Sequence, residues 1–206
     1  MRLIDALTTL SVMQAPVFDT ADAAARLGVD AARASTVLAR LAAARHVLRL
    51  RRGVWAFGDR VDPLALPEYL TSPFPSYVSL QSALYLHGMI EQVPTVTYAV
   101  SLARTRRFTT PLGTVSIHHV DPGFFFGFED AGASGGRLAT PEKALVDFLY
   151  LAPARSKLFR ALPELELPAR FSVRRARAIV ARIGSSSRRA MVSRALEDIM
   201  RGARSR

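Results

Sequence analysis

The chain contains no cysteine, which removes disulfides, thiolate nucleophiles and the common structural zinc sites at once. Nowhere does an apolar run approach the roughly 18 uninterrupted residues of a membrane span. Residues Met1 to Gln14 also lack the basic start and apolar core of a secretory leader. A cytoplasmic protein with no membrane partner is therefore expected. Lysine is scarce while arginine and alanine abound, a pattern of GC-rich coding that warns against assigning a task to every arginine. What the chain does have is apolar mass: half of its 206 residues are hydrophobic, enough for two compact units.

The formal net charge of +11 is unevenly spread. Residues 1–58 hold eight arginines against four aspartates (+4), residues 59–151 six basic against nine acidic groups (−3), and residues 152–206 fourteen against four (+10). Basic ends around an acidic middle point to a polyanionic partner, or to cationic helix faces that keep the chain soluble.

In the first sixty residues Leu3, Ile4, Leu7 and Leu10 recur at helical spacing, and Pro16 closes a helix expected over Leu3–Met13. Thr20 reads as the N-cap of a short helix over Ala21–Leu27 that Gly28 ends, and Asp30 as the cap of a third helix reaching about Arg45. In that third helix Ala34, Val37, Leu38 and Leu41 share one face, so Arg33, Ser35, Thr36 and Arg40 point away from the core. Val47–Leu50 and Val54–Phe57 alternate around Arg51, Arg52 and Gly53, a two-stranded hairpin with a basic tip. Helix, glycine turn, helix and hairpin in this order predict a winged helix-turn-helix. No acidic residue lies between Ala31 and Gly58. The candidate DNA-contacting residues are Arg26, Arg33, Ser35, Thr36, Arg40, Arg49, Arg51 and Arg52. One such unit makes few contacts, so a monomer or weak dimer paired on repeated half-sites is expected. Winged helices also serve as protein-binding modules, in which case these arginines are a solvated face.

Asp59–Pro67, with two prolines and two aspartates, reads as a linker, giving units of 1–58 and 59–206. Beyond it Ser79 reads as the cap of a helix carrying Leu80, Ala83, Leu84 and His87, closed by Gly88. Thr95–Val100, Phe108–Thr110 and Thr114–His119 read as strands, the last two as a hairpin through Pro111, Leu112 and Gly113. Thr140 and Pro141 open a helix through Leu151. Two amphipathic helices follow, over Val173–Ile183 and Arg188–Met200, with Ser185–Ser187 between them. They form part of a basic tail of about 152–206 whose arginines suit either a DNA backbone or an acidic protein. The expected class is α+β: a winged helix-turn-helix, then a mixed α/β domain with C-terminal helices.

Three blocks in the middle carry a family resemblance. They are Tyr77-Val78-Ser79-Leu80-Gln81-Ser82-Ala83-Leu84 through His87-Gly88-Met89-Ile90-Glu91-Gln92-Val93-Pro94, then Phe124-Phe125-Phe126-Gly127-Phe128, then Ala139-Thr140-Pro141-Glu142-Lys143-Ala144-Leu145-Val146-Asp147. With the winged helix in front, they resemble the AbiEi family of antitoxins over most of residues 1–152. The resemblance implies a bicistronic type IV toxin-antitoxin pair of the kind used in phage defence. Its N-terminal domain would repress its own promoter at inverted repeats in double-stranded DNA. Its second domain would counteract a cognate toxin of nucleotidyltransferase fold. The resemblance carries no toxin-facing residues into the tail beyond Leu151.

Physically, the same blocks read as caps, helix punctuation and an aromatic cluster that is either core or docking surface, with no catalytic centre. No cofactor, metal or catalytic residue is expected. His118 and His119 are adjacent in a strand and face opposite ways, so they do not share a metal, and His46 and His87 are isolated. The stretch Gly132, Ala133, Ser134, Gly135, Gly136 lacks the Lys and Ser/Thr of a P-loop and reads as a surface loop. Lys143 and Asp147, one turn apart, are the one pair that tempts a phosphotransferase reading, and an i,i+4 salt bridge is the simpler account. Two alternatives stay open: an ordinary regulator whose second domain senses a ligand, and a kinase-like antitoxin that covalently modifies its toxin.

Overall fold

A computed structural model of the chain describes residues 2–131, 135–152 and 165–204. The first unit comprises α1 (Leu3–Ser11), β1 (Val17–Asp19), α2 (Thr20–Leu27), α3 (Ala31–Ala43), β2 (Leu48–Arg51) and β3 (Val54–Ala56). Asp30 caps α3 as expected, accepting from the Arg33 N–H, and Gly28 takes the left-handed turn between α2 and α3 at φ 64°. The cap of α2 is Asp19, not Thr20. Asp19 accepts from the Asp22 N–H while the Asp22 carboxylate receives the Asp19 N–H, a reciprocal box that leaves no donor for Thr20. The Thr20 hydroxyl is used across the unit instead, accepting from Trp55 Nε1 at 3.0 Å. Helix α3 stops short of Arg45 because that residue itself adopts φ 61°. The sheet order is β1-β3-β2, so the expected two-stranded hairpin gains a third strand at Val17–Asp19. Leu10, Phe18, Leu38, Leu41, Val47 and Trp55 form the core beneath it.

The segment expected as a linker is packed. Val61, Ala65, Leu66 and Pro67 are buried, and Leu66–Thr71 forms a further helix, α4. Its two prolines sit where they cost no hydrogen bond: Pro63 precedes the helix and Pro67 occupies its first turn. The apolar side chains here face both units at once, which a sequence reading of polar loop residues could not register.

The second sheet contains β4 (Ser76–Val78), β5 (Thr97–Ser101), β6 (Arg106–Thr110), β7 (Gly113–His119), β8 (Phe128–Asp130) and β9 (Arg137–Ala139) in the order β6-β7-β5-β4-β9-β8. The β6–β7 hairpin is as expected, while the β5–β7 and β4–β9 pairs are parallel. Helices α5 (Leu80–Leu86), α6 (Pro141–Leu151), α7 (Val173–Ala181) and α8 (Ser186–Arg204) complete the fold. In the glycine-rich stretch, Gly132, Ala133 and Ser134 lie outside the described residues. Gly136 is buried where a Cβ would come within 2.5 Å of the Leu64 backbone.

Strand alternation gives this sheet two apolar faces. Tyr98 and Val100 join Leu84, Leu145, Phe148, Val180 and Leu196 on the side of α5–α8. Ala99, Val115 and Ile117 point the other way, where they meet Leu66 and Leu70 of α4 and Leu50 and Ala56 of the wing sheet. One apolar layer thus joins the two units, with the winged helix on one face of the sheet and the C-terminal helices on the other. Replacing the fully buried Ile117 by Ala is expected to cost about 2–5 kcal/mol by opening a cavity in this shared layer. Chemical denaturation should register the loss in the winged unit and the second sheet together, because both line the cavity. Separate transitions with an unaltered winged unit would show that the layer does not couple them.

Candidate nucleic-acid interface

Helix α3 presents Ala34, Leu38 and Leu41 to the core and leaves Arg33, Ser35, Thr36 and Arg40 exposed. At about 100° per residue, Arg33, Thr36 and Arg40 fall on one stripe, spaced three and four apart, whereas Ser35 lies at its far edge. The Thr36 hydroxyl donates to Ala32 O at 3.1 Å and keeps its acceptor capacity outward. Arg26, in the last turn of α2, is exposed but reaches back to α1, with Nε donating to Thr9 O at 3.3 Å.

The wing separates its three arginines by role. Arg52 is exposed at the tip beside Gly53, whose φ of 76° makes the turn. Arg49 is exposed and lies over the Trp55 ring at 5.6 Å, which holds the guanidinium at the edge of the wing. Arg51, expected beside Arg52 at the tip, is turned the other way. Its Nη2 donates to Ser72 O at 3.4 Å and its Nε is buried, so the side chain belongs to the junction with α4. A register shift in the β2–β3 pairing between Arg49 and Arg51 causes this: it redirects Arg51 relative to a regular alternation.

One basic group beside the wing was not legible in the sequence. Edge strand β6 runs next to β2. On it Arg106 is registered opposite Ile117, which places Arg106 on the wing-facing side of the sheet, where it is exposed over the Phe108 ring at 4.9 Å. The acidic overall balance of residues 59–151 concealed it, because charge summed along a chain says nothing of which strand edge a residue occupies.

The three motif blocks meet elsewhere, at a buried ion pair. Lys143 Nζ and Asp147 Oδ1 are 2.7 Å apart, and both side chains are wholly inaccessible. Period-2 alternation puts Tyr77 and Ser79 on the α6 side of the chain, and both hydroxyls donate to Asp147 Oδ2, at 3.0 and 2.8 Å. Ser79, expected as a helix cap, therefore makes no cap bond, because its hydroxyl is committed to Asp147. The bulky Leu80 after it holds φ 54°, the sharp strand-to-helix turn that brings Ser79 to the carboxylate. Lys143 also donates to Phe124 O at 2.9 Å and lies 3.5 Å from the Phe124 ring centroid. Burial pushes the Asp147 carboxyl above the usual carboxylate range and the Lys143 ammonium below its own, each opposed by the charge of the other. The Tyr77 phenol is held well above its usual range by burial and by Asp147, so it stays a donor. With no solvent access, this pair cannot take a nucleotide in this conformation; it is a tie between blocks.

The four histidines are accounted for locally, His119 by its Nδ1 lying 3.2 Å from Ala103 O. His87 Nε2 lies 2.7 Å from Ala139 O and its Nδ1 receives Arg170 Nη2 at 3.0 Å; His118 sits by Ser116, and burial lowers its pKa; His46 is exposed. Among the described residues no cluster of His, Cys, Asp or Glu has the make-up of a metal site. No helix among them is long and apolar enough to cross a membrane.

Three helices with a glycine turn and a wing define a winged helix-turn-helix, the architecture of a transcriptional regulator. Residues 5–58 match the model of a protein family described as "Transcriptional regulator, AbiEi antitoxin". The match covers the winged-helix unit, and there it agrees with the resemblance of the sequence to the AbiEi antitoxins. No curated protein matches the chain.

The buried pair yields a test of fold. Lys143→Met leaves the Asp147 carboxylate without its cation and should cost about 3–5 kcal/mol in chemical denaturation. The double variant Lys143→Met/Asp147→Leu should recover much of that loss. A double variant as unstable as the single one would mean that the charges are needed for more than mutual compensation.

Proposed function

We propose that this protein is the antitoxin and autorepressor of a two-gene operon, acting in the cytoplasm. Residues 1–58 read an inverted-repeat operator, and residues 59–206 neutralise a partner toxin of nucleotidyltransferase fold by binding it. The carrying observation is the exposed stripe Arg33, Thr36, Arg40 on a helix whose opposite face is fully committed to the core. A helix of this kind enters the major groove, where arginine reads guanine and a hydroxyl serves either base type. Arg49 and Arg52 on the wing, with Arg106 beside them, supply phosphate contacts that position the helix without reading sequence. Two copies paired on the repeat give the specificity that one short helix lacks. The antitoxin half of the proposal rests on the family match and on the motif blocks, whose shared ion pair secures the sheet that carries them.

Operator affinity tests the first half. Arg33→Ala and Arg40→Ala should each weaken binding by about 1–3 kcal/mol in an anisotropy titration if they contact bases. Arg52→Ala should lower the slope of log affinity against log salt by about 1, whereas Arg51→Ala, seated at the junction, should leave the slope unchanged. Equal slopes for both wing variants would place the tip away from DNA.

Growth tests the second half. The adjacent open reading frame is expressed alone, with this chain, or with its Arg33→Ala/Arg40→Ala variant. The full chain is used because removing residues 1–58 would bare Ala99, Val115 and Ile117. The neighbour should arrest growth, and both forms should rescue it, while only the unaltered chain represses the promoter. A harmless neighbour would leave a regulator without a toxin to oppose.

A further inference from the structure

The Phe124–Phe128 block continues into an aromatic row that has more positive charge than it needs. Phe126 meets Phe124 edge-on at 5.6 Å, and Phe124 stacks on Tyr150 at 4.5 Å between ring centroids. Arg182, at the end of α7, lies over Phe126 at 3.4 Å, and Arg188, in the first turn of α8, lies over Tyr150 at 4.8 Å. Lys143 touches the same row from within and is answered by Asp147. Arg182 and Arg188 are not answered: among the described residues no carboxylate forms an ion pair with either. Aromatic rings fix both guanidiniums in place without neutralising them.

Between them the surface is concave. A cleft of about 360 Å³ is bounded by Asp121, Phe124, Tyr150, Arg182 and Ser185, and it adjoins a second hollow of about 510 Å³ that shares Tyr150 and Ser185 and adds Ser187 and Arg188. Gly184 on its floor carries no side chain, and nothing lies within 4 Å of where a Cβ would be, so backbone is open to a ligand. The first-turn amides of the 19-residue α8 add their positive field at the same place.

We infer that this cleft between the Phe124–Tyr150 row and the α7–α8 turn binds a nucleotide. The volume suits a small organic ligand, whereas a bare phosphate would fill little of it. Arg182 and Arg188 would take the phosphates, with one hydroxyl of the Ser185–Ser187 pair, whose oxygens lie 3.2 Å apart, as a further donor. The part-exposed Tyr150 ring offers an apolar wall, and the Asp121 carboxylate, which already accepts from the Gly123 N–H, has acceptor capacity for sugar hydroxyls. The site lies on the α5–α8 side of the second sheet, away from the winged helix, so it is independent of the operator reading.

Full-length protein is titrated calorimetrically at physiological salt with ATP, AMP and inorganic phosphate, and with a short RNA as competitor. Saturable binding of the nucleotides is expected, at least roughly tenfold tighter than phosphate. Arg182→Ala and Arg188→Ala should each weaken it by about tenfold or more, the loss of a charge-assisted contact. Ser187→Asp supplies a second variant that keeps the fold, since a carboxylate in the first turn of a helix favours the helix while repelling an anion in the cleft. Each variant should retain operator affinity and thermal stability. The proposal is overturned by absent nucleotide binding, by phosphate competing as well as ATP, by binding indifferent to all three substitutions, or by RNA that binds through these arginines where mononucleotides do not displace it.

Discussion

Lys143 and Asp147 expose no side-chain surface, and the end of β4, the Phe124 carbonyl and α6 are placed so that both charges find partners there. A lone buried charge costs several kcal/mol, so each must find partners within the fold. Asp147 finds them in Lys143, Tyr77 and Ser79, and Lys143 adds Phe124 O and the aromatic ring beside it. These partners come from a strand end, a loop and a helix far apart in sequence. Any slippage of β4 against α6 would unpair a charge, so the polar cluster selects one register where apolar packing alone would tolerate several. Gly127 belongs to the same constraint: at φ 78° a side chain would be strained, and its Cβ would crowd the Lys143 side chain at 3.1 Å.

Around that tie the molecule separates two kinds of surface. The wing sheet and α4 cover one face of the second sheet, and α5–α8 cover the other. On the function proposed above, DNA on α3 would face the wing and the β6 edge, whereas the arginines of α7 and α8 belong to the opposite layer. The sequence left those C-terminal arginines divided between DNA and another anionic partner. Their place across the sheet from α3 favours a partner other than the same stretch of DNA. The apolar layer between the units also sets the orientation of α3 relative to that second surface, so the two are held at a fixed spacing by packing, not by a tether.

Much of the winged helix was legible from local rules. Asp30, Gly28 and the apolar period of α3 act within one turn of their neighbours, and so does the Thr140–Pro141 start of α6. Local rules failed where two readings of one residue competed. Thr20 and Ser79 are both good caps by type; Asp19 displaced the first, and a carboxylate sixty-eight positions away claimed the second. Arg51 and Arg52 are indistinguishable as neighbours in a basic tip until a register shift sends one of them into the junction.

By itself the sequence determined the three helices and the wing, the outward placement of Arg33, Ser35, Thr36 and Arg40, and the likeness to a family of antitoxins, because periodicity and caps are properties of adjacent residues. Only the tertiary structure decided that an i,i+4 pair on α6 would be a buried tie instead of a surface bridge. The same holds for Arg106 standing beside the wing, and for Arg182 and Arg188 lining two hollows that share Tyr150 and Ser185. Burial and proximity are relations between segments brought together by packing, and no spacing along the chain encodes which face a neighbour will cover.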